Sequence, residues 1–262
     1  MGIDSKLKEI VRVGTLRILG ERAFKNARLG YWVRRIKNGS FYEEEMNALK
    51  LFVHEGDACL DIGANFGQYA YALSRIVGER GSVFCFEPSA YTAGILKDVT
   101  ERLRLSNVVI EKSALGDSVG SIHFVIPIEK DSSIPNVATA HIKANGETNI
   151  GSEEVVSVTT LDKYFEGKNI RNVSFVKCDV EGAELMILEG GKEFLLTHKP
   201  AVLCEIVEKY EERYNCNSKD VLDFMGKLGY KMFIYEKTDV GGVLKPIDSI
   251  KEGIINYFFI HQ

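Results

Sequence analysis

The stretch Asp57-Ala58-Cys59-Leu60-Asp61-Ile62-Gly63-Ala64-Asn65-Phe66-Gly67 constrains this chain more than any other. Cys59, Leu60 and Ile62 form a short apolar run, Gly63 and Gly67 permit a tight turn with close backbone approach, and residues 68 to 77 continue at helical spacing. A buried strand that enters a glycine-hinged turn and then a helix is the first β-turn-α unit of a nucleotide-type α/β fold. The spelling of the turn narrows its ligand. It has neither the Lys-Ser or Lys-Thr pair of a phosphate-gripping loop nor the Gly-x-Gly-x-x-Gly of a dinucleotide site. Asp61 also puts negative charge where a pyrophosphate would lie, so a cationic or hydroxyl-rich ligand fits better.

The next apolar run, Ser82 to Phe86, ends in Glu87-Pro88. In a doubly wound sheet an acid at this point reaches the hydroxyls of a ribose, through charge-assisted bonds worth about 1.5–3 kcal/mol each. Asp61, Gly63, Gly67 and Glu87 therefore outline a pocket for an adenosine without phosphates, of which S-adenosylmethionine is the common one. The bland alternative makes Glu87 a solvated strand end and the glycines mere turns. It leaves unexplained why these elements arrive together and in order.

The 262 residues, 45% hydrophobic and 27% charged, suffice for one large α/β domain with additions. No apolar run approaches the roughly 20 residues of a membrane span, and the first residues show no secretion-signal pattern. Cys59, Cys85, Cys178, Cys204 and Cys216 are odd in number and lack CxxC spacing, which points to reduced core thiols, a cytoplasmic setting and no zinc site. Residues 1 to 40 hold ten basic and three acidic residues, a net of +7 on a chain whose total is −4. That end could meet an anionic surface such as a membrane, or be a solvated helix face packed on the acidic body.

In chain order, Lys6 to Phe24 reads as a basic amphipathic helix, Gly30 to Val33 as a break, and Phe41 to His54 as a second helix. Residues 1–55 are expected to form an N-terminal helical extension and 56–262 the main domain, with an insertion at about 119–158. Strands are expected at about 57–62, 82–87, 107–112, 172–179, 201–206, 230–236 and 255–261, with a hairpin formed by 121–127 and 153–158. The polar stretch Glu129 to Ser152 between the hairpin arms is a substrate lid or disordered. Ser89, Thr160 and Ser218 are expected helix caps, and a helix is expected from the 179–184 turn to about Leu196. Ser113 to Asp117 reads as a loop beside the ligand. Seven strands with a late hairpin match a class I methyltransferase (Rossmann-like) sheet, mostly parallel with helices on both faces, rather than a six-stranded dehydrogenase sheet.

Six segments carry a family resemblance: Phe41-Tyr42-Glu43, Leu60 to Gly67, Phe86-Glu87-Pro88, Ala114-Leu115-Gly116-Asp117, Thr160-Leu161-Asp162 and Lys177-Cys178-Asp179-Val180-Glu181-Gly182-Ala183-Glu184. Over residues 41 to 262 the chain resembles the FkbM family of S-adenosylmethionine-dependent methyltransferases. The resemblance implies O-methylation of a hydroxyl on a sugar, glycan or natural-product acceptor. It also implies that Asp61, Gly63, Ala64, Asn65, Gly67, Glu87, Pro88, Ser113 and Ala114 hold the methyl donor. Cys178 stands where the family spelling usually has isoleucine, a buried change with no bearing on chemistry.

Methyl transfer aligns acceptor oxygen, methyl and sulfur, and a positioned base helps a weak hydroxyl nucleophile by about 10²- to 10⁴-fold. The candidates are Asp179 and Glu205, ending adjacent central strands, then Glu181 and Glu184, which could instead cap a helix or hold the loop. His141 in the expected lid is a weaker candidate. Clustered carboxylates of this kind could hold Mg²⁺, although no metal is expected to be needed. Two alternatives belong to other classes: a nucleic-acid methyltransferase or binding module using the basic N-terminus, and a catalytically silent scaffold. The acidic body and the absence of an Asn-Pro-Pro-Tyr-type motif argue against nucleic acid. An oligomer remains open.

Overall fold

The computed structural model describes residues 23, 26–127, 141–143, 151–170, 172–239 and 241–262. The expected helix Lys6 to Phe24, apart from Ala23, and most of the expected lid lie outside the described residues. Residues 26–37 are one helix, α1. The expected break at Gly30 is thus corrected. Gly30 sits on an exposed helical surface with nothing within 4 Å of where a Cβ would be, so its missing side chain costs helix propensity without forcing a turn. The segment 41–54 is shorter in helix than expected, a 3-10 turn Glu44–Ala48 followed by one turn of α-helix, α2 (Leu49–Phe52).

From there strands and helices alternate: β1 (Ala58–Ile62), α3 (Gln68–Val77), β2 (Ser82–Phe86), α4 (Ala90–Leu103) and β3 (Val108–Glu111). A small excursion follows, β4 (Ala114–Leu115), β5 (Gly120–Pro127), β6 (His141–Ile142) and β7 (Gly151–Thr159). The chain returns through α5 (Leu161–Phe165), β8 (Val173–Cys178), α6 (Glu184–Glu189), α7 (Lys192–His198), β9 (Ala201–Glu205), α8 (Glu208–Glu211), α9 (Ser218–Lys227), β10 (Tyr230–Thr238), β11 (Gly241–Ile247) and β12 (Asn256–His261).

The main sheet has the order β11-β10-β12-β9-β8-β1-β2-β3. Its β9-β8-β1-β2-β3 half is parallel, and β12, β10 and β11 are added antiparallel. β11 is an eighth strand beyond the seven expected. Its Gly241-Gly242-Val243-Leu244-Lys245-Pro246 spelling is mostly exposed, as an edge strand tolerates, and lacks the apolar run that marks an interior one. The helices cover both faces, so β1 is buried at every residue and reads as a continuous apolar run broken only by Asp61. Leu60, Ile62, Phe84 and Phe86 pack toward α5, α6, α7 and α9. Cys59, Val83, Cys85 and Phe175 pack toward α2, α3 and α4.

The excursion forms its own sheet, β4-β7-β5-β6. Its β5–β7 pairing is the expected hairpin, while Ala114–Leu115, expected as loop, pairs with β7 in parallel. Ser89 and Thr160 cap α4 and α5 as expected, by accepting from the amides of Thr92 and Lys163. At α9 the cap is Asn217, one residue earlier than expected, in a reciprocal capping box with Asp220. The expected helix from 184 to about 196 is two, because Gly190 and Gly191 pass so close to Gly116 and Leu161 that a Cβ at either would clash.

Strand order reverses between β1 and β8, and the turn after β1 runs against the turn after β8. A Cβ on Gly63 would lie 1.9 Å from the carbonyl oxygen of Asp179, and Gly63 has φ +77°. Gly63→Ala is therefore expected to lower the thermal midpoint by several degrees, since it adds backbone strain to a clash with an immovable carbonyl. Gly30→Ala should leave the midpoint unchanged or raise it, by about 0.5–1 kcal/mol of helix propensity. Thermal unfolding of both variants checks the pair.

Candidate active site

The crevice at the reversal is lined by acids delivered from several elements. Register places Asp61 of β1 opposite Lys177 of β8, and both side chains are 2% exposed. A lysine so deeply buried needs compensating charge. Its Nζ lies 3.3 Å from Oδ2 of Asp179 and 5.3 Å from the centre of the Tyr69 ring. Burial works against the lysine's charge, but Asp179, Glu43 and Glu205 together push its pKa above the ordinary value.

Asp179 follows β8, and Glu205 ends the adjacent β9. Asp179 is held below the usual carboxylate range: burial alone would raise it, but Lys177 and a hydrogen bond from Glu205 override that. Glu205 moves the other way, pushed up to about 9 by burial and by the charge of Asp179. At neutral pH the pair therefore shares one proton, carried by Glu205 and donated toward Asp179. With 34% of its side chain exposed, Asp179 offers the cavity an ionised carboxylate resting on a sealed cation.

The turn after β1 is held from β2. The amides of Gly63 and Ala64 donate to the carbonyl of Phe86. Glu87 accepts from the amide of Asn65 at 3.0 Å through one oxygen and from the amide of Ser89 at 3.1 Å through the other. Asn65 has φ +48°, a left-handed conformation that asparagine tolerates. Each oxygen of Glu87 keeps a lone pair free for a further donor. Burial raises Glu87 and Asp61 alike to about 7. Asp61 Oδ2 and Asn65 Oδ1 are buried without a hydrogen-bond partner. Two orphaned acceptors in one crevice mark a place where a ligand's donors belong.

These residues surround a cavity of about 300 Å³ that also receives Glu43, Gln68, Tyr69 and Glu181. It opens beside a smaller, apolar space walled by Ile62, Phe86, Ser113, Ala114 and Leu115, with Gly63, Pro88, Phe124 and Val180 common to both. The expected donor residues thus line these two spaces, apart from Gly67, which has φ +90° and starts α3 under the side chain of Leu96. A larger cavity, about 1300 Å³, opens elsewhere, between α9 and the β10–β11 edge. It lies away from the strand ends where ligands enter such sheets.

Of the expected catalytic acids, Asp179, Glu181 and Glu205 come together, with carboxylate oxygens within 4.8 Å of one another. Glu181 has φ +61° and is raised to about 7, by burial and then by Asp179. Glu184 stands apart from the cavity. It is 1% exposed and accepts from the amide of Val180 at 2.8 Å, so it holds the 179–184 turn, the second of the two roles open to it. His141 contributes its backbone to β6.

Sequence reasoning passed over Lys177, Glu43, Gln68 and Tyr69 as site residues. Glu43 accepts from Gln68 Nε2 at 3.0 Å and Tyr69 OH at 2.6 Å. Lys177 did carry a signal: a lysine inside the apolar run Val173 to Cys178 has nowhere to go but the interior.

The Methyltransferase FkbM domain model matches residues 61–232. The chain belongs to the FkbM methyltransferase family. Among curated relatives, the hexuronic acid methyltransferase AglP of Haloferax volcanii is 28% identical over 151 residues, covering 56% of each chain. Among solved structures, the methyltransferase FkbM of Methylobacillus flagellatus KT superposes with a TM-score of 0.50 at 15% identity, over 92% of this chain and 60% of that one. This chain thus spans less than two thirds of either relative. The main sheet and its flanking helices are the class I methyltransferase fold.

Glu184 offers a clean measurement. Its carboxyl is pushed up to about 8 by burial, against the opposing pull of the amides of Val180, Glu184 and Gly182. An unfolded glutamate ionises near pH 4.3. Between that pH and the folded value, the folded chain keeps a proton that the unfolded chain has released, so this group's contribution to stability falls as pH rises. Glu184→Gln should match the parent in urea unfolding near pH 4 and exceed it at pH 8 by on the order of 4 kcal/mol.

Proposed function

We propose that the protein transfers the methyl group of S-adenosylmethionine to a hydroxyl of a sugar, glycan or related acceptor, with Asp179 as the base. The observation that carries this reading is the carboxylate of Asp179 resting 3.3 Å from the buried ammonium of Lys177, in the same crevice as the orphaned Asp61. The donor set fits the cofactor: Asp61 Oδ2 and Asn65 Oδ1 lack partners, Glu87 retains acceptor capacity for ribose, and the apolar space at Ser113, Ala114 and Leu115 suits a flat base. Six acids line the cavity, Glu43, Asp61, Glu87, Asp179, Glu181 and Glu205. They favour a cationic ligand and oppose a polyphosphate.

When bound, S-adenosylmethionine supplies an electrophilic methyl on a positively charged sulfur. In the proposed reaction Asp179 accepts the proton of the acceptor hydroxyl as the oxygen–carbon bond forms and the carbon–sulfur bond breaks, its electron pair going to sulfur. Lys177 keeps Asp179 ionised between turnovers, and Glu205 keeps the neighbouring oxygen position neutral by holding its own proton. Asp179, Glu181 and Glu205 form a donor set that Mg²⁺ accepts, but Lys177 already delivers positive charge to Asp179. We therefore expect turnover without added metal and unchanged activity in EDTA. The buried free thiols of Cys59, Cys85, Cys178 and Cys204 favour a reducing, cytoplasmic setting. Among the described residues no helix is long and apolar enough to cross a membrane.

Asp179→Asn is expected to lower kcat by about 10²- to 10⁴-fold with donor affinity within threefold of the parent. Glu87→Ala should instead weaken donor binding, by about tenfold or more. Calorimetry with S-adenosylhomocysteine separates the two; equal effects on binding would sink the division of roles. The charge of the cavity also bears on the acceptor, because a uronate would bring its carboxylate beside the ionised Asp179. With isotope-labelled donor and matched glycosides, neutral sugars are expected to take up label faster than uronates, as mass spectrometry of the products would show.

A further inference from the structure

Helix α1 precedes the family-matched stretch, yet it packs on the loop where the donor is read to bind. Trp32, the single tryptophan of the chain, stacks on Phe66 with ring centres 4.1 Å apart and planes 27° apart. Its other ring contacts are Phe41, stacked at 5.5 Å, and Tyr31, edge-on at 5.2 Å. Phe66 lies between Gly63 and Gly67. The turn's backbone is tied through the amides of Gly63 and Ala64 to the carbonyl of Phe86, of Asn65 to Glu87 and of Gly67 to Ala64, whereas the Phe66 ring is held from α1 alone among these ties. A loop with two glycines and a left-handed asparagine has little conformational preference of its own, so its shape is set from outside, by these bonds to β2 and Glu87 and by the clamped ring of Phe66.

The same helix also grips the second half of the cradle. Ile36 packs with Ile95 and Val99 of α4, and Arg28 Nη1 donates to the hydroxyl of Tyr91 in the first turn of α4 at 2.8 Å. Helix α4 starts directly after Glu87 and Ser89. One helix therefore bridges the glycine loop and the segment that follows the ribose-facing acid, the two parts that the Glu87–Asn65 hydrogen bond also joins.

We propose that Trp32 is a positioning residue for the methyl donor: through Phe66 it holds the Gly63–Gly67 loop in its binding shape, so that donor affinity depends on the docking of α1. The proposal rests on the reading that this loop receives the donor. By linkage the dependence runs both ways, and bound donor favours docked α1 by the same factor. Whatever pulls α1 away from Phe66 lowers donor affinity.

The full chain and its Trp32→Ala, Trp32→Phe, Phe66→Ala and Trp32→Ala/Phe66→Ala variants, checked for folding by circular dichroism, are titrated with S-adenosylhomocysteine by calorimetry. Trp32→Ala and Phe66→Ala are expected to bind about three- to tenfold more weakly, the scale of an aromatic pair. Trp32→Phe should recover most of the loss, and the double variant should be little worse than either single one. The loss should appear in KM for the donor far more than in kcat. In the parent, binding should change the fluorescence of Trp32 and slow amide hydrogen exchange over residues 26–37. Donor affinity unchanged in a folded Trp32→Ala variant overturns the proposal. If that variant does not fold, an absence of donor-dependent protection over 26–37 in the parent overturns it instead. A parent that binds no S-adenosylhomocysteine refutes the donor reading itself, which is a separate failure.

Discussion

A single buried cation organises the crevice. Lys177 is sealed inside the sheet, opposite Asp61 and beneath Asp179, where an ammonium ion is tolerable only among carboxylates. Its presence sorts the acids around it. Asp179, in contact with the lysine, stays ionised, whereas Glu205, whose largest influences are burial and the charge of Asp179, is pushed up to about 9. Two carboxyls on neighbouring strands thus acquire opposite protonation states from their surroundings alone. In the proposed reaction that difference separates the base from its neutral neighbour.

The site is also a matter of backbone proximity. The turn after β1 can lie against the turn after β8 only because Gly63 has no side chain, its Cβ position falling on the carbonyl oxygen of Asp179. Gly182 is under the same constraint on the far side of the 179–184 turn, where a Cβ would meet the backbone of Tyr210. Glu184 then ties that turn from beneath, and Glu87 ties the first turn to α4. Several of these acids are buried enough to be raised toward neutrality. The local cost of keeping them dry is that the cradle is most stable where they are protonated.

Much of this was legible in the residues. The parallel core announced itself because β1, β2, β8 and β9 are apolar runs that end in or beside an acid, a pattern that burial on both faces demands. Asp61, Glu87, Asp179 and Glu205 were legible for the same reason. What escaped notice depended on contacts distant in sequence. Glu43 enters the cavity only through Gln68 and Tyr69, some 25 residues on. Gly30 reads as a breaker until its helix is seen to leave it in open space. β11 is too polar and glycine-rich to stand out, being an edge strand paired on one side. The division between α6 and α7 follows from close packing of Gly190 on Gly116, which no local pattern encodes. Asn217 outcompetes Ser218 as cap because it can form the reciprocal pair with Asp220.

The parts of the molecule differ in what fixes them. The parallel strands have their shape dictated by the sheet ladder and by apolar cover on both sides, and side chains on their C-terminal ends inherit that rigidity. The Gly63–Gly67 turn does not. Its amides reach out to Phe86 and Glu87, its one large side chain reaches up to Trp32, and its own sequence favours mobility. A crevice built this way has a rigid floor, Asp61, Lys177 and Asp179, and a wall whose stiffness is borrowed from β2, α4 and α1. The floor suits charge placement, which tolerates little displacement. The wall suits entry and release of a ligand as large as a nucleoside, which requires some. The acidic floor and the aromatic prop therefore answer to different demands, and a change to one need not be felt by the other.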